Sequence, residues 1–210
     1  MRFMSSADLD FKSLLEKAAS FHGHMCGGQP LGVRIAIAGL RELGMTEPLK
    51  RRDLVVYLEV DRCIADAIQV VSGCTIGHRS LKFIDYDKFA ATFVDFSNDR
   101  AVRISSKKYA RLSAMKFAEK QGWLKPGERI EEFTDREKEL IIRAYSEMPE
   151  MDLIDIARVK VDIPKEGLPS IPTHITACES CGELIFDHRE TIKEGYALCR
   201  SCASGSYYEK

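Results

Sequence analysis

Two Cys-x-x-Cys pairs near the end of the chain constrain its fold more than any other feature of the 210-residue sequence. Each pair lets two sulfur atoms converge on one ion from a tight turn, and two pairs complete a tetrahedral four-thiolate site. Residues 174–210 hold too little apolar material to fold by burial alone, so a bound metal must supply the missing stability. The sequence therefore predicts a small zinc-ribbon-like domain with a structural zinc on Cys178, Cys181, Cys199 and Cys202.

The four-thiolate set favours a structural zinc over a catalytic one, because a catalytic zinc keeps one coordination position open. A redox dithiol pair is the alternative. Residues 174–210 carry four Lys or Arg and six Asp or Glu. Since neutralisation of phosphates dominates most DNA affinity, this acidic segment is poorly suited to grip DNA. We expect it to contact a protein partner or to mediate dimerisation, rather than to bind nucleic acid.

A second group of metal-type side chains lies near the start of the chain, in a loop before the first long apolar segment. It contains His22, His24 and Cys26, followed by two glycines. Imidazole and thiolate are ligands that suit zinc and similar divalent metals. Pro30 is well placed as the first residue of the following helix, whose N-terminus would favour a thiolate. A packed loop with hydrogen-bonded histidines is the alternative interpretation of this cluster taken alone.

Two more thiols occupy similar positions later in the chain. Cys63 is predicted to lie in the first turn of a helix capped by Asp61, where the helix dipole lowers the pKa of a thiol. Cys74 follows Gly73, and each such cysteine taken alone could instead be a small buried apolar residue. Together they predict a cleft that binds a second divalent metal. The candidate ligands are His22, His24, Cys26, Cys63 and Cys74, with His78 as a substitute for Cys74 and with Asp61 and Asp66 as supporting carboxylates.

The hydrophobic pattern predicts an α+β core domain over residues 1–163, with a mixed or antiparallel sheet. Three prolines mark a stiff linker over residues 164–173, which precedes the four-cysteine domain of residues 174–210. Eight Lys or Arg between 100 and 125 are followed by eight Asp or Glu between 128 and 150. We interpret these as two complementary helices, with a nucleic-acid patch as the alternative. The predicted elements are helices over 8–19 (capped by Asp8), 30–43, 106–121 (with Tyr109, Leu112 and Met115 inward) and 134–148, a helix between Asp61 and Gly73, and strands over 54–60, 81–86, 89–96, 101–105 and 156–163, those between 81 and 105 being antiparallel.

The composition narrows the class of protein. A net charge of -1 does not indicate general polyanion binding, and no apolar run is long enough to span a bilayer. Residues 1–6 lack the apolar core of a signal peptide, which leads us to expect a cytoplasmic protein. The seven cysteines are an odd number. We therefore expect reduced thiols that serve as ligands or reactive groups, rather than a disulfide framework.

The cysteine motifs of the core resemble the FmdE family, which takes its name from a component of formylmethanofuran dehydrogenase. Residues 21–26, 61–67 and 72–77 carry the resemblance, which covers most of residues 10–110. The four-cysteine segment looks like the zinc finger that some members of the family append. The chain departs from the family pattern at Gly27, where proline is usual, and at His78, where lysine is common. The resemblance implies an α+β protein that forms a homodimer.

Three functional hypotheses follow, and whether the chain is an enzyme stays open. The first is a metal-binding protein, accessory to the molybdenum- or tungsten-dependent one-carbon metabolism after which the family is named. The second is a metal-sensing or transcription-related regulator that acts through the zinc finger. The third is a thiol redox protein that uses Cys63. A chain of this length lacks the apparatus to hold a pterin cofactor and iron–sulfur clusters by itself.

Overall fold

The computed structural model describes residues 9–45, 53–128, 130–132 and 134–209, which form two compact units divided between Asp162 and Ile163. The first unit is built on a five-stranded sheet in the order β2-β1-β3-β4-β5. Its strands are β1 Leu54–Leu58, β2 Leu81–Phe83, β3 Ala90–Asp95, β4 Arg100–Ser106 and β5 Ile154–Val159. Its helices are α1 Phe11–His22, α2 Gly28–Glu42, α3 Ile64–Ser72, α4 Ala110–Lys120, α5 Asp135–Glu147 and α6 Glu150–Leu153.

The sheet is mixed, which confirms the predicted α+β class. Strands β3, β4 and β5 form an antiparallel series, and β1 pairs antiparallel with β3. Strand β2 is parallel to β1, so the prediction of antiparallel strands throughout residues 81–105 was wrong for this one. The reason is that α3 lies between β1 and β2 and carries the chain across the sheet, as parallel pairing requires.

Helix α2 forms the centre of the first unit. Its apolar sequence is buried along most of its length, and it contacts α1, α3, α5, β3 and β4. At two points the approach is close enough to require glycine. A Cβ atom added at Gly39 would overlap the buried ring of Phe93, and one added at Gly32 would lie 2.7 Å from the Cβ atom of Ala67. Neighbouring elements therefore pack directly against the backbone of α2.

Several predicted helix ends differ from the structure. Helix α1 begins at Phe11 and is capped by Asp10, whose carboxylate accepts a hydrogen bond from the backbone N–H of Ser13 at 3.0 Å. The predicted cap, Asp8, lies outside the described residues. Helix α2 begins two residues before Pro30, because proline is tolerated anywhere in a first turn, whose N–H groups have no partner within the helix.

Helix α4 packs differently from the prediction. Tyr109 and Leu112 are exposed, and the helix instead buries the small side chains of Ala110, Ala114 and Ala118. The predicted complementarity of basic and acidic helices is present at one point, where the Nε atom of Arg111 donates to Glu137 of α5 at 2.7 Å. Small residues let α4 approach its neighbours closely, which a search for large apolar residues does not detect.

The second unit contains two short antiparallel hairpins, formed by β6 Ile175–Ala177 with β7 Leu184–Phe186, and by β8 Thr191–Lys193 with β9 Tyr196–Leu198. A short helix, α7 Arg200–Ser204, follows them. A 3₁₀ turn, Lys165–Gly167, interrupts the segment predicted as an extended linker. Among the described residues of both units, no helix combines the length and the apolar character that a membrane span needs.

We predict that Gly39→Ala destabilises the protein by about 1–3 kcal/mol, because the added methyl group overlaps the Phe93 ring in a closely packed core. The sign is informative, since the intrinsic helix propensity of alanine alone favours the substitution by about 1 kcal/mol. Urea unfolding monitored by circular dichroism would measure the difference. Gly77→Ala is the control, since its added Cβ atom would meet no atom within 4 Å; an unchanged or raised midpoint for Gly39→Ala would contradict the packing described.

Candidate metal centres

The four cysteines of the second unit come together as the sequence predicts. Their sulfur atoms all lie within 4.8 Å of one another. The first pair occupies the turn between β6 and β7, where Gly182 adopts a positive φ of 77°. The second pair brackets the start of α7, which Cys199 caps by accepting a hydrogen bond from the backbone N–H of Cys202 at 3.4 Å. Both turns direct their side chains towards one point, as a four-thiolate zinc site requires.

Backbone amides prepare this cluster for a cation. The N–H group of Cys199 donates to the Sγ atom of Cys178 at 3.2 Å. Together with the N–H group of Cys181, it lowers the pKa of the Cys178 thiol to about 6. Donors that stabilise a thiolate favour the charged ligand that zinc binds. The donor set and its polarity therefore fit a structural zinc.

The core unit brings together three of the predicted residues: His22, Cys26 and Cys63. One donor atom from each lies within 4.8 Å of the other two. His22 is the last residue of α1, Cys26 lies in the loop before α2, and Cys63 immediately precedes α3. The ends of three helices thus meet at this point. All three side chains are half-buried, so the group is accessible without being fully solvated.

The histidine of this group is held in one orientation by a carboxylate. The Nδ1 atom of His22 lies 2.7 Å from the Oδ2 atom of Asp66, which projects from the first turn of α3. The Nε2 atom is buried and has no hydrogen-bond partner among the described residues. An Asp carboxylate on Nδ1 selects the tautomer that carries its proton there and leaves the Nε2 lone pair free. A metal ion would satisfy this otherwise unpaired atom.

Close packing sets the position of Cys63. A Cβ atom added at Gly28 would lie 2.6 Å from the Cβ atom of Cys63, so α2 and α3 touch at this glycine. The side chain of Gln29 is fully buried, and its Nε2 atom donates to the Cys63 carbonyl at 3.0 Å. The sulfur atom therefore extends from a backbone that two neighbours fix in place.

The pKa of the Cys63 thiol is raised, which is opposite to the prediction from its sequence position. Burial is the main cause, and the neighbouring Cys26 thiol adds to it. The helix dipole does not compensate, because α3 has only nine residues and burial penalises the charged form. The predicted cap of α3 was also wrong: Cys63 itself occupies the cap position, and Asp61 is exposed and makes no cap. An activated redox nucleophile would require the opposite pKa shift.

The structure does not bring the other predicted ligands into this group. Cys74 is buried, and its Sγ atom lies 3.7 Å from the carbonyl oxygen of Leu54. The imidazole of His24 is exposed and packs against that of His22, with ring centroids 4.6 Å apart. His78 is exposed as well. Within the described part of the chain, Cys74 is thus placed as a small core side chain and His24 lies beside the three-residue group.

A cavity of about 580 Å³ lies on the other side of the start of α2, and sequence reasoning missed it. Gly27, Gly28 and Leu31 form one wall, next to the core group of ligands. The remaining wall is rich in cations and contains no carboxylate side chain: its charged members are Lys88, Arg103, Lys107, Lys108 and Arg111. These residues come from distant segments, so their convergence has no signal in the linear sequence.

Comparison with known proteins identifies the family. The family model described as "FmdE, Molybdenum formylmethanofuran dehydrogenase operon" matches residues 21–155. The chain belongs to the FmdE family. A second model, the prokaryotic dksA/traR C4-type zinc finger, matches residues 171–208. Both parts of the resemblance inferred from the cysteine motifs are thereby confirmed.

Two similar proteins place the FmdE-family chain in context. A protein from Archaeoglobus fulgidus, described as a probable S-adenosyl-L-methionine-binding protein, is 30% identical over 208 residues. The alignment covers 93% of this chain but 53% of that protein, so the chain spans about half the length of this curated relative. The crystal structure of an FmdE-like protein of tungsten formylmethanofuran dehydrogenase from Syntrophus aciditrophicus is 21% identical, with a TM-score of 0.62 over 95% of both chains. The second likeness shows that the fold is shared.

We predict that Cys181→Ser unfolds the second unit, because three thiolates hold zinc more weakly than four and the unit buries few apolar side chains. Hydrogen exchange of the full chain, read by mass spectrometry, should show loss of amide protection over residues 174–205 and unchanged protection in the core. Ser204→Ala, an exposed change in α7, is the control and should leave both units protected. Retained protection in Cys181→Ser would contradict a metal-dependent fold.

Proposed function

We propose that the core unit binds one divalent transition-metal ion through the Nε2 atom of His22 and the Sγ atoms of Cys26 and Cys63. The observation that carries this proposal is the buried, unpartnered Nε2 atom, which lies beside two thiols while Asp66 engages the other ring nitrogen. Two thiolates and one imidazole suit zinc best among the common divalent ions. The proposed set is smaller than the predicted one, since it omits His24 and Cys74.

Three protein ligands distinguish the core centre from the four-thiolate centre. A tetrahedral ion held by three side chains keeps a fourth position for water or a small molecule, as catalytic zinc sites do. A zinc ion bound there would polarise a carbonyl group or lower the pKa of a bound water molecule. Asp66 keeps the imidazole in the required tautomer, and Gly28 lets α2 approach without covering the group. These features support a centre that binds or transforms a ligand.

The cavity beside this centre supports an anionic ligand. Arg103 and Arg111 are paired with Glu59 and Glu137, so they stiffen the wall more than they attract charge. Lys88 and Lys108 form no ion pair with the described residues. Their ammonium groups lie 5.5 Å from the ring centroid of Tyr86 and 5.2 Å from that of Tyr109, respectively. Lysines at a helix N-terminus recognise carboxylate or phosphate groups.

The Archaeoglobus relative raises S-adenosyl-L-methionine as a second candidate ligand. Its carboxylate would suit the lysines of the cavity, whereas its sulfonium and ammonium groups would be repelled by them. Isothermal titration of the full chain with S-adenosyl-L-methionine, in parallel with succinate and inorganic phosphate as anionic probes, separates the two candidates. We expect the anions to bind more tightly, and tighter binding of the sulfonium compound would favour the second candidate.

The cellular role belongs to the same proposal. The family description supports an accessory role beside a molybdenum- or tungsten-dependent enzyme of one-carbon metabolism in the cytoplasm. We propose that the protein acts as a homodimer and that its zinc finger contacts a protein partner, which also accommodates the regulatory hypothesis. The regulatory hypothesis requires that partner binding change when the core metal is removed, whereas an accessory enzyme would show turnover. Light scattering after size exclusion would test the dimer.

We predict that Cys63→Ser and His22→Ala each lower the metal content by one ion per chain, because each removes a ligand from a three-ligand centre. Elemental analysis of full-length proteins purified in parallel would measure this. Cys74→Ala is the control: it removes a buried core thiol outside the group and should leave the count unchanged. Asp66→Asn keeps the ligands but loosens His22, so its zinc affinity should fall about 10- to 100-fold.

Two results would overturn the assignment. An unchanged metal count in Cys63→Ser would show that the core thiols are not ligands. A loss of one ion in Cys74→Ala, in a protein with wild-type circular dichroism, would show that the predicted five-residue set was closer to the truth than the three-residue set.

We predict further that the open position and the cavity act together. In protein whose core site contains Co²⁺, the visible d–d bands should shift when succinate or phosphate is added, because the anion replaces water on the metal. Lys108→Gln should weaken the response about tenfold, whereas Lys120→Gln, at the end of α4 and outside the cavity, should not. Bands that ignore every anion would show that the fourth position is closed.

A further inference from the structure

His174, His188 and Glu190 form a third group of metal-type donors, in the second unit and separate from the four cysteines. Each offers one ligand atom, and the three atoms lie within 4.8 Å of one another. His174 immediately precedes β6, while His188 and Glu190 lie in the connection between β7 and β8. The group therefore joins the start of one hairpin to the start of the next.

The spacing of these atoms matches that of ligands on one ion. The Nε2 atom of His174 lies 3.3 Å from the Oε1 atom of Glu190, and the Nδ1 atom of His188 lies 3.8 Å from the same oxygen. Two ligands bound tetrahedrally to zinc, each at about 2.0–2.1 Å, are separated by about 3.3 Å. Only small movements would bring the carboxylate and each imidazole to coordination distance.

Two buried polar atoms of this group lack hydrogen bonds. The Nε2 atom of His174 and the Oε2 atom of Glu190 are inaccessible to solvent and have no hydrogen-bond partner in the described part of the chain. Such atoms carry a desolvation cost of about 1–3 kcal/mol unless something binds them. His22, in the proposed core centre, shows the same feature. A cation at the centre of the group would satisfy both atoms at once.

The backbone around His188 is shaped to keep it in the group. Asp187 and His188 both have positive φ angles, of 58° and 56°, which side chains other than glycine rarely adopt. The N–H group of Asp187 donates to the carbonyl of His174 at 2.9 Å, which fixes the turn against the segment that bears the other imidazole. Unfavourable backbone conformations of this kind concentrate at functional sites.

The two imidazoles are stacked, with ring centroids 3.9 Å apart and planes inclined by 8°. Stacked rings direct their lone pairs side by side, so ligation by both requires the ring of His188 to turn out of the stack. That ring is half-exposed and free of packing on its outer face, with 55% of its side chain accessible. Metal binding should therefore change the environment of His188 more than that of His174.

We infer that the second unit carries a second metal site, formed by His174, His188 and Glu190, which binds a divalent transition-metal ion such as Zn²⁺ or Ni²⁺. Two imidazoles and one carboxylate are a common three-ligand set that leaves positions open for water or another ligand. The site lacks thiolates, so it should bind zinc more weakly than the four-cysteine site and release it first to a chelator. The inference does not depend on the proposed core centre.

Full-length protein that retains its tightly bound zinc provides the test. Titration with Zn²⁺, followed by the imidazole ¹⁵N signals in a long-range proton–nitrogen NMR spectrum, should shift the Nε2 signal of His174 and the signals of His188. Glu190→Gln, which preserves shape, and His188→Ala, at an accessible position, should each weaken this event at least about tenfold. Glu194→Gln, an exposed change in the next turn, is the matched control.

The four-cysteine zinc reports whether each variant is folded. If it remains bound and the amides of the second unit stay protected, weaker Zn²⁺ binding in Glu190→Gln and His188→Ala supports the site. Imidazole signals of His174 and His188 that do not move at millimolar Zn²⁺ would overturn it. Unchanged affinity in both variants would overturn it as well, since the group would then be an ion pair between a histidine and a glutamate.

Discussion

The close approach of α2 to α3 is the contact on which the core centre depends. Gly28 and Gly32 make it possible, because a Cβ atom at either would lie less than 3 Å from atoms of α3 or of Cys63. A larger side chain at Gly28 would displace Cys63 from Cys26. Two residues of α2 that lack a side chain thus determine where a thiol on another segment is placed.

The same packing connects the remaining parts of the centre. Helix α1 contacts both α2 and α3, and it ends at His22 next to Asp66 of α3. The metal ligands therefore come from the ends of elements whose bodies are fixed by burial, which is how a site is held to a narrow geometry. The basic cavity shares the glycine wall of α2, so a ligand there would lie beside the metal. The zinc finger uses a different principle, since its fold depends on the metal itself.

Sequence alone predicts much of this, and its failures have physical causes. The spacing of Cys178 to Cys202 defines the finger, because each pair acts within one turn. His22, Cys26 and Cys63 were among the predicted ligands, and Asp66 was proposed as a supporting carboxylate. Cys74 was included because a glycine precedes it, but the sequence does not show that its side chain points into the core beside β1. The third group was missed since His174 lies fourteen residues from His188, on the far side of a hairpin.

The most direct test of the account is a crystal structure of the zinc-loaded full chain with anomalous diffraction measured on both sides of the zinc absorption edge. The account predicts an anomalous peak in the core, about 2.0–2.1 Å from the Nε2 atom of His22 and about 2.3 Å from the sulfur atoms of Cys26 and Cys63, with a fourth ligand that is not a side chain of this unit. Asp66 should remain on Nδ1. A core without a peak, or a peak ligated by Cys74 or by the Nδ1 atom of His22, would contradict it.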